Sequence, residues 1–381
     1  MNEKVKHALK FAVLMTLLLR AIALVWGFTM QTLPGVMEGS GLFDTDWASN
    51  LAHWDPELER LVILWGYQPQ SVLSSKYPFF SMITRALIQL TGMEVTTAMF
   101  VVTTVGVFYG FFALWMLLDY LRDMEYADRV IWYMPFSFLG TGFVFLMSFP
   151  EAFHIGFWSD AFRRFFNKDY FGASLFVGLA VLTRPQSIVL LPVFALSILH
   201  QEQGNINAVV EKGLKACGFP TLVYVVWTWW VSKITEVGLS PITAQDYFRR
   251  GDKGLPWTRT HEWFDWLRYN NPSEFNWGQV FETYHLLLIG VGLIVLAFMV
   301  YRKELRWELF LFTLLSIMLP LSTHVFAIGR FALATWMPFA YAELIPQKYD
   351  KHALIFNASL TVITMFVLGV STGPSWSGYV P

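Results

Sequence analysis

An all-α polytopic membrane protein is the fold class the sequence predicts: a bundle of about 9–11 transmembrane segments, half-helices included, with two long outer-face loops. Three observations predict it. Hydrophobic residues fill 55% of the 381 positions and charged residues only 14%, a balance no ordinary soluble domain of this length needs to close its core. Aromatics reach 18%, with 17 Trp and 15 Tyr, which suits many helix ends at membrane interfaces better than one large interior. The linkers carrying Arg122/Arg129, Arg163/Arg164/Lys168, Lys212/Lys215, Arg302/Lys303/Arg306 and Lys348/Lys351 are short and basic, as cytoplasmic loops are.

The first apolar run, from Ala8 to Met30, is long enough to cross a hydrocarbon core of about 30 Å at about 1.5 Å per residue. Lys4, Lys6 and Lys10 flank its start, and it continues past Arg20 to bulky Trp26 and Phe28. It therefore reads as an uncleaved signal anchor with a cytoplasmic N-terminus. A polar segment, 31–94, follows. Within it Leu58, Leu61, Val62 and Trp65, and then Phe79, Met82, Ile83 and Leu87, keep helical spacing, which predicts two amphipathic helices on the membrane surface.

Further apolar runs fall at 95–118, 130–149, 151–163, 170–183, 185–199, 217–234, 284–301, 308–322, 331–345 and 353–371. For every basic linker to share one face, 170–183 and 185–199 must together enter and leave by the same side. Each is about half a span, and Thr183-Arg184-Pro185 separates them, so two half-helices meeting inside the membrane are expected, with the freed backbone lining a cavity. The second polar segment, 235–282, and the tail after Ser371 then fall on the outer face. The two polar segments are expected to face each other within a single transmembrane domain, 1–381.

The net charge of -1 gives no electrostatic case for nucleic acid, and the lone Cys217 excludes an intrachain disulfide. No pair of the eight His has metal-ligand spacing, and phosphate-cradling Gly-rich loops and nucleophile elbows are missing from the sequence. Neither metal nor cofactor is expected, and a reaction on the outer face needs a lipid-borne activated substrate.

Ionisable groups at a membrane need a partner or a function, and the candidates converge on the outer side. The first loop holds Asp44, Asp46, Asp55, Glu57, Glu59 and Lys76. Glu151 stands at an outer helix end, Gln245, Asp246, Arg249 and Arg250 lie in the second loop, and His324 and Arg330 come late. Asp55 stands out because Trp54 and the amphipathic helix after it hold it half desolvated, where a carboxylate becomes a better base. Asp55-Pro56 with Glu59 equally reads as a helix N-terminus, and the two roles are compatible. Arg330 opens an apolar run after Gly329, in position either to grip a phosphate or to anchor the interface. Arg184 is costly at mid-membrane depth unless paired, with Glu151 as the candidate partner; placement in the cytoplasm is the competing account.

Several of these positions form a pattern that resembles the PIG-V-type mannosyltransferases of the GT-C membrane glycosyltransferases. His53-Trp54-Asp55 with Gly66-Tyr67 is similar to that family's Trp-Asp and Gly-Tyr elements, although His53 stands where the family often has Arg. Lys76-Tyr77-Pro78-Phe79-Phe80 with Arg85 resembles its aromatic-Pro stretch. Ser148-Phe149-Pro150-Glu151-Ala152-Phe153 resembles its Ser-Glu-x-Phe element, and Leu182-Thr183-Arg184-Pro185 its interrupted-helix Arg. Ala244-Gln245, Phe248-Arg249 and Pro256-Trp257 are similar to motifs of its large outer loop, and Gly329-Arg330-Phe331 with Pro338 to its late Arg-aromatic motif.

The resemblance implies inverting transfer of a hexose, mannose above all, from a polyprenyl- or dolichyl-phosphate donor to an acceptor hydroxyl on a glycolipid, glycan or protein. It implies Asp55 as the catalytic base. Arg330, Arg184 and Lys76 are then expected at the donor phosphate, and Trp54, Glu151, Gln245, Arg249 and His324 as substrate-positioning residues. The expected location is the inner membrane of a prokaryote, with the endoplasmic reticulum as the alternative. A transporter or flippase of lipid-linked sugars is the rival function, and a scaffold the third.

Overall fold

The computed structural model describes residues 2–32, 47–52, 55–69, 72–137, 140–236, 256–269, 277–322 and 328–371, and every regular element among them is helical. In chain order the α-helices are α1 (Glu3–Thr32), α2 (Trp47–Asn50), α3 (Asp55–Trp65), α4 (Pro78–Thr91), α5 (Val95–Leu121), α6 (Met124–Val130), α7 (Glu151–Phe166), α8 (Tyr170–Thr183), α9 (Leu190–Gln201), α10 (Ile206–Gly213), α11 (Phe219–Thr235), α12 (Pro256–Tyr269), α13 (Trp277–Tyr301), α14 (Trp307–Leu321), α15 (Ile328–Leu333), α16 (Met337–Leu344) and α17 (Asp350–Ser371). Among the described residues three segments are long and apolar enough to cross a membrane, Glu3–Thr29, Val95–Leu121 and Glu282–Tyr301. The chain is thus an all-helical protein of membrane character.

The core is a row of helices in which α1 packs on α5, α5 on α7, α7 on α8 and α8 on α11. Small residues let the row close. A Cβ on Gly110 of α5 would lie 2.4 Å from the Ala152 carbonyl oxygen of α7, so these two backbones touch as small-residue interfaces in membranes do. Phe162, Phe165 and Phe194 fill the far end, the last two stacked with centroids 4.0 Å apart.

Charged groups gather at the two ends of this row. At one pole Lys4 of α1 meets Asp119 of α5 at 2.9 Å, and Arg129 of α6 meets Asp350 of α17 at 2.6 Å. Arg122 donates to the Glu304 carbonyl at 2.8 Å, and the Arg306 guanidinium lies 3.8 Å from the Phe166 ring centroid. The basic linkers around Arg122, Arg129, Arg306 and Lys348 therefore cluster together. Ser197 of α9 donates to Glu308 at 2.8 Å, beside Arg306, so α9 returns to the pole from which α8 set out. Between them Arg184 is extended (φ -148°, ψ 136°) before Pro185, the conformation proline imposes on its predecessor.

One apolar run takes a different form from that expected. Residues 130–149 do not make a spanning helix: after α6, among the described residues, only short 3-10 turns follow, at Ile131–Tyr133 and Gly142–Phe145. Pro135 lies in the run, Gly140 takes a left-handed φ of 63°, and a Cβ on Gly142 would stand 1.8 Å from the Pro135 carbonyl oxygen. The backbone thus folds on itself where only glycine fits. Its freed groups find partners from elsewhere, Arg20 of α1 donating to the Phe145 carbonyl, which is how irregular backbone is tolerated inside a buried bundle. The run 331–345 is likewise divided, into α15 and α16.

Candidate active site

Four parts of the chain bring ionisable side chains to the pole opposite the basic linkers. The first is the α3–α4 unit. Pro56 stands in the first turn of α3, and Leu58, Leu61 and Val62 bury one face of it against Leu73. Gly66 (φ 75°) turns the chain back, and the Tyr67 hydroxyl donates to the Lys76 carbonyl at 3.1 Å. This returns Lys76 to the start of α3, where its Nζ lies 2.9 Å from Asp55 Oδ1. Pro78 then opens α4, and Ser81 donates to Glu59 Oε2 at 2.7 Å.

The other three parts close on this unit. Glu151 begins α7, where the positive end of the helix dipole favours an acid. Arg184 sits at the α8–α9 break and donates from Nη2 to Glu151 Oε1 at 2.5 Å. Arg330 of α15 makes a close ion pair through Nη1 with Asp55 Oδ2, and its Nε lies 3.4 Å from Glu151 Oε1. The Phe149 ring stacks on its guanidinium, with the centroid 5.3 Å away. Gly329 makes room for this arrangement, since a Cβ there would meet the His285 ring at 2.5 Å.

The result is one buried network, Lys76–Asp55–Arg330–Glu151–Arg184. Side-chain exposure grades through it, from 21% at Asp55, 12% at Arg330 and 10% at Arg184 to 6% at Lys76 and 3% at Glu151. Asp55 and Arg330 are therefore the members a ligand meets first, and Glu151 is the most enclosed.

The electrostatics correct one expectation. Partial desolvation was expected to make Asp55 the stronger base. Burial does push its carboxyl up, but Arg330, Lys76 and Arg184 outweigh it and hold Asp55 well below the usual carboxylate range. Asp55 is ionised and weakly basic while both cations grip it. Burial pushes Glu59 up, against the pull of Lys76 and Ser81, and burial lowers Lys76 despite Asp55 and Glu59.

Among the sequence candidates, Asp55, Lys76, Glu151, Arg184 and Arg330 are brought together. Asp44, Asp46, Trp54, Gln245, Asp246, Arg249, Arg250 and His324 lie outside the described residues. Two contributors escape the pattern of the sequence: Ser81, which holds Glu59, and His154, one turn after Glu151 on α7. The spacing of Glu151 and His154 was the available signal, as residues three apart share a helix face. Among the described residues no three of His, Cys, Asp and Glu group as metal ligands. Chemically, the arrangement offers a carboxylate and two cations at the accessible edge, the elements of base-assisted displacement of an anionic leaving group. Comparisons with protein-family models, with curated proteins and with solved structures give no match for this chain.

Proposed function

We propose that this protein is an inverting, lipid-phosphate-dependent glycosyltransferase of GT-C type that moves a hexose, mannose on the sequence resemblance, from a polyprenyl- or dolichyl-phosphate donor to an acceptor hydroxyl. The observation that carries the reading is the double grip of Lys76 and Arg330 on Asp55 at the accessible edge of the buried network. A bundle of 9–11 spans with the two polar segments on the non-cytoplasmic face is the topology this reading takes, supported by the gathering of the basic linkers at the far pole.

The donor phosphodiester competes with Asp55 for Arg330 and Lys76. As the cations turn to the phosphate, Asp55 loses the charges that suppress it and becomes a competent base. It takes the proton of the acceptor hydroxyl, the acceptor oxygen attacks the anomeric carbon, and the bond from that carbon to the phosphate oxygen breaks. The lipid phosphate leaves with the electron pair, and Arg330 and Lys76 neutralise the charge it gains. Arg184 holds Glu151 rigid behind them. The acceptor is a glycolipid, a glycan or a protein, and the membrane is a prokaryotic inner membrane or the endoplasmic reticulum.

The test is turnover of a polyprenyl-phosphate hexose by the purified chain in detergent, with membrane lipids and glycans as acceptors and mass spectrometry reading the gain of one hexose. Transfer without any membrane gradient, lost in Asp55→Asn, is the expected result. Sugar movement only across sealed vesicles identifies a transporter and overturns the proposal.

A further inference from the structure

The first turn of α7 carries polar atoms that nothing among the described residues satisfies. Glu151 Oε1 accepts from Arg184 and lies 3.4 Å from Arg330 Nε, yet among the described residues Oε2, fully enclosed, has no hydrogen-bond partner. One turn on, His154 is 0% exposed, and both Nδ1 and Nε2 are without a partner among the described residues. The two residues share a face of α7, and the charge of Arg184, in contact with Glu151, acts on His154 as well.

A neutral imidazole has one N–H to give and one lone pair to receive. Leaving both unmet in a closed interior costs about 1–3 kcal/mol for each group. The same helix carries Phe153, Phe157 and Phe162 in buried positions, so an aromatic ring without nitrogens is the cheaper occupant if packing is all that position 154 requires. Glu151 stands one contact in from Arg330, where a phosphate is proposed to dock, and His154 lies one turn further along α7.

We infer that Glu151 Oε2 and His154 form the subsite that reads hydroxyl groups of the transferred sugar, with His154 as a specificity-determining residue. The inference rests on the transferase reading and names the part of the substrate that the inner half of the network recognises. A polyhydroxylated ring is the matching chemistry. One hydroxyl donates to Glu151 Oε2, and two others meet the imidazole, one accepting from its N–H and one donating to its bare nitrogen on the opposite side of the ring. A lipid phosphate without a sugar leaves all three atoms unmet.

The experiment uses the full chain in detergent, with polyprenyl-phosphate mannose and its monodeoxy derivatives as donors, and with mannose 1-phosphate and its monodeoxy forms in a parallel binding titration. In the native protein, removal of one particular hydroxyl is expected to lower kcat/KM and affinity about tenfold to a hundredfold, with the other positions less affected. His154→Phe is expected to lose as much with the complete sugar and to lose its preference for it over that deoxy form. His154→Gln, which keeps a donor and an acceptor, should recover part of both. Unchanged affinity for inorganic phosphate in the variants marks the effect as one on the sugar.

Equal use of all deoxy forms by the native protein overturns the inference, as does a folded His154→Phe that discriminates like the native protein; in that event His154 holds an internal water only. If both variants fail to fold, the native deoxy series decides alone. Binding without transfer sinks the transferase reading while the deoxy series still decides the subsite. No binding of any sugar phosphate sinks both.

Discussion

Arg330 is in direct contact with Asp55, although one stands late in the chain and the other within its first polar segment. The same guanidinium reaches Glu151 through Nε at 3.4 Å. The carboxylate proposed as base is therefore held by the cation proposed for the leaving group, and the predictions below follow from that coupling.

Asp55→Asn keeps the shape of the side chain and removes its charge. Transfer should fall by about a thousandfold or more, since a positioned base supplies a factor of that order. Affinity for the bare polyprenyl phosphate should hold or rise, because Lys76 and Arg330 no longer have a competing carboxylate. Equilibrium binding of the lipid phosphate, measured beside turnover, separates the two effects; weakened binding contradicts the competition.

Arg330→Ala leaves Asp55 and Glu151 each with one cation fewer in a largely enclosed site. Loss of one member of such a pair costs about 3–5 kcal/mol, visible as a lower unfolding midpoint in detergent, with donor affinity reduced as well. Arg330→Lys keeps the charge and loses the planar fork, so it should fold better and still bind donor about tenfold more weakly. Equal donor affinity in all three forms removes Arg330 from the phosphate role.

The Arg184–Glu151 pair is the most enclosed ion pair of the five-residue network. Arg184→Met and Glu151→Gln should each destabilise strongly, by about 3 kcal/mol or more, since each strands the partner's charge. The double variant should cost clearly less than the sum, and a mutant cycle measures the difference. Additive losses show that the two residues stabilise the fold independently.

Gly329→Ala puts a methyl group 2.5 Å from the His285 ring. Overpacking of this kind costs about 1–3 kcal/mol, and here the displaced backbone carries Arg330. The expected signature is a donor KM that rises by more than the loss of stability accounts for; a variant with native KM shows that the contact leaves Arg330 unmoved.

Two acids in the first polar segment give opposite pH dependences. Asp55, depressed in the fold, contributes stability that is in place above its unfolded value of about 3.9 and is lost only as pH falls through its lower folded value. Glu59, raised by burial, contributes stability that is complete below about 4.3 and is lost as pH rises through its folded value. Unfolding midpoints from pH 4 upward, in steps of about one unit, should therefore decline with a slope that Glu59→Gln flattens and Asp55→Asn does not.

Much of this site was legible because membranes make unpaired charge expensive. Asp55, Lys76, Glu151, Arg184 and Arg330 each needed a partner, and Arg184-Pro185 marked the break that lets a cation reach Glu151. Apolarity, in contrast, does not distinguish a helix from irregular buried backbone, and so the run 130–149 took its form from Pro135, Gly140 and Gly142, whose turn chemistry outweighs the hydrophobic count. His154 was hidden for a different reason: an orphaned imidazole is recognised only when its surroundings are known. The grip on Asp55 was equally invisible, and it reversed the expected direction of that carboxylate's basicity.

The α3–α4 unit delivers Lys76, Glu59 and Asp55 together, and Glu151 comes with Arg184 and Arg330, so acids and bases nearly cancel before any ligand arrives. An ordinary anionic phospholipid drifting past therefore feels little net attraction and has no incentive to break an existing pair. Entry becomes an exchange of one anion for another, favoured only when the newcomer carries further groups that the interior can satisfy. On the proposed function, such a device would disfavour abundant bilayer headgroups without a physical gate and make donor capture nearly indifferent to ionic strength.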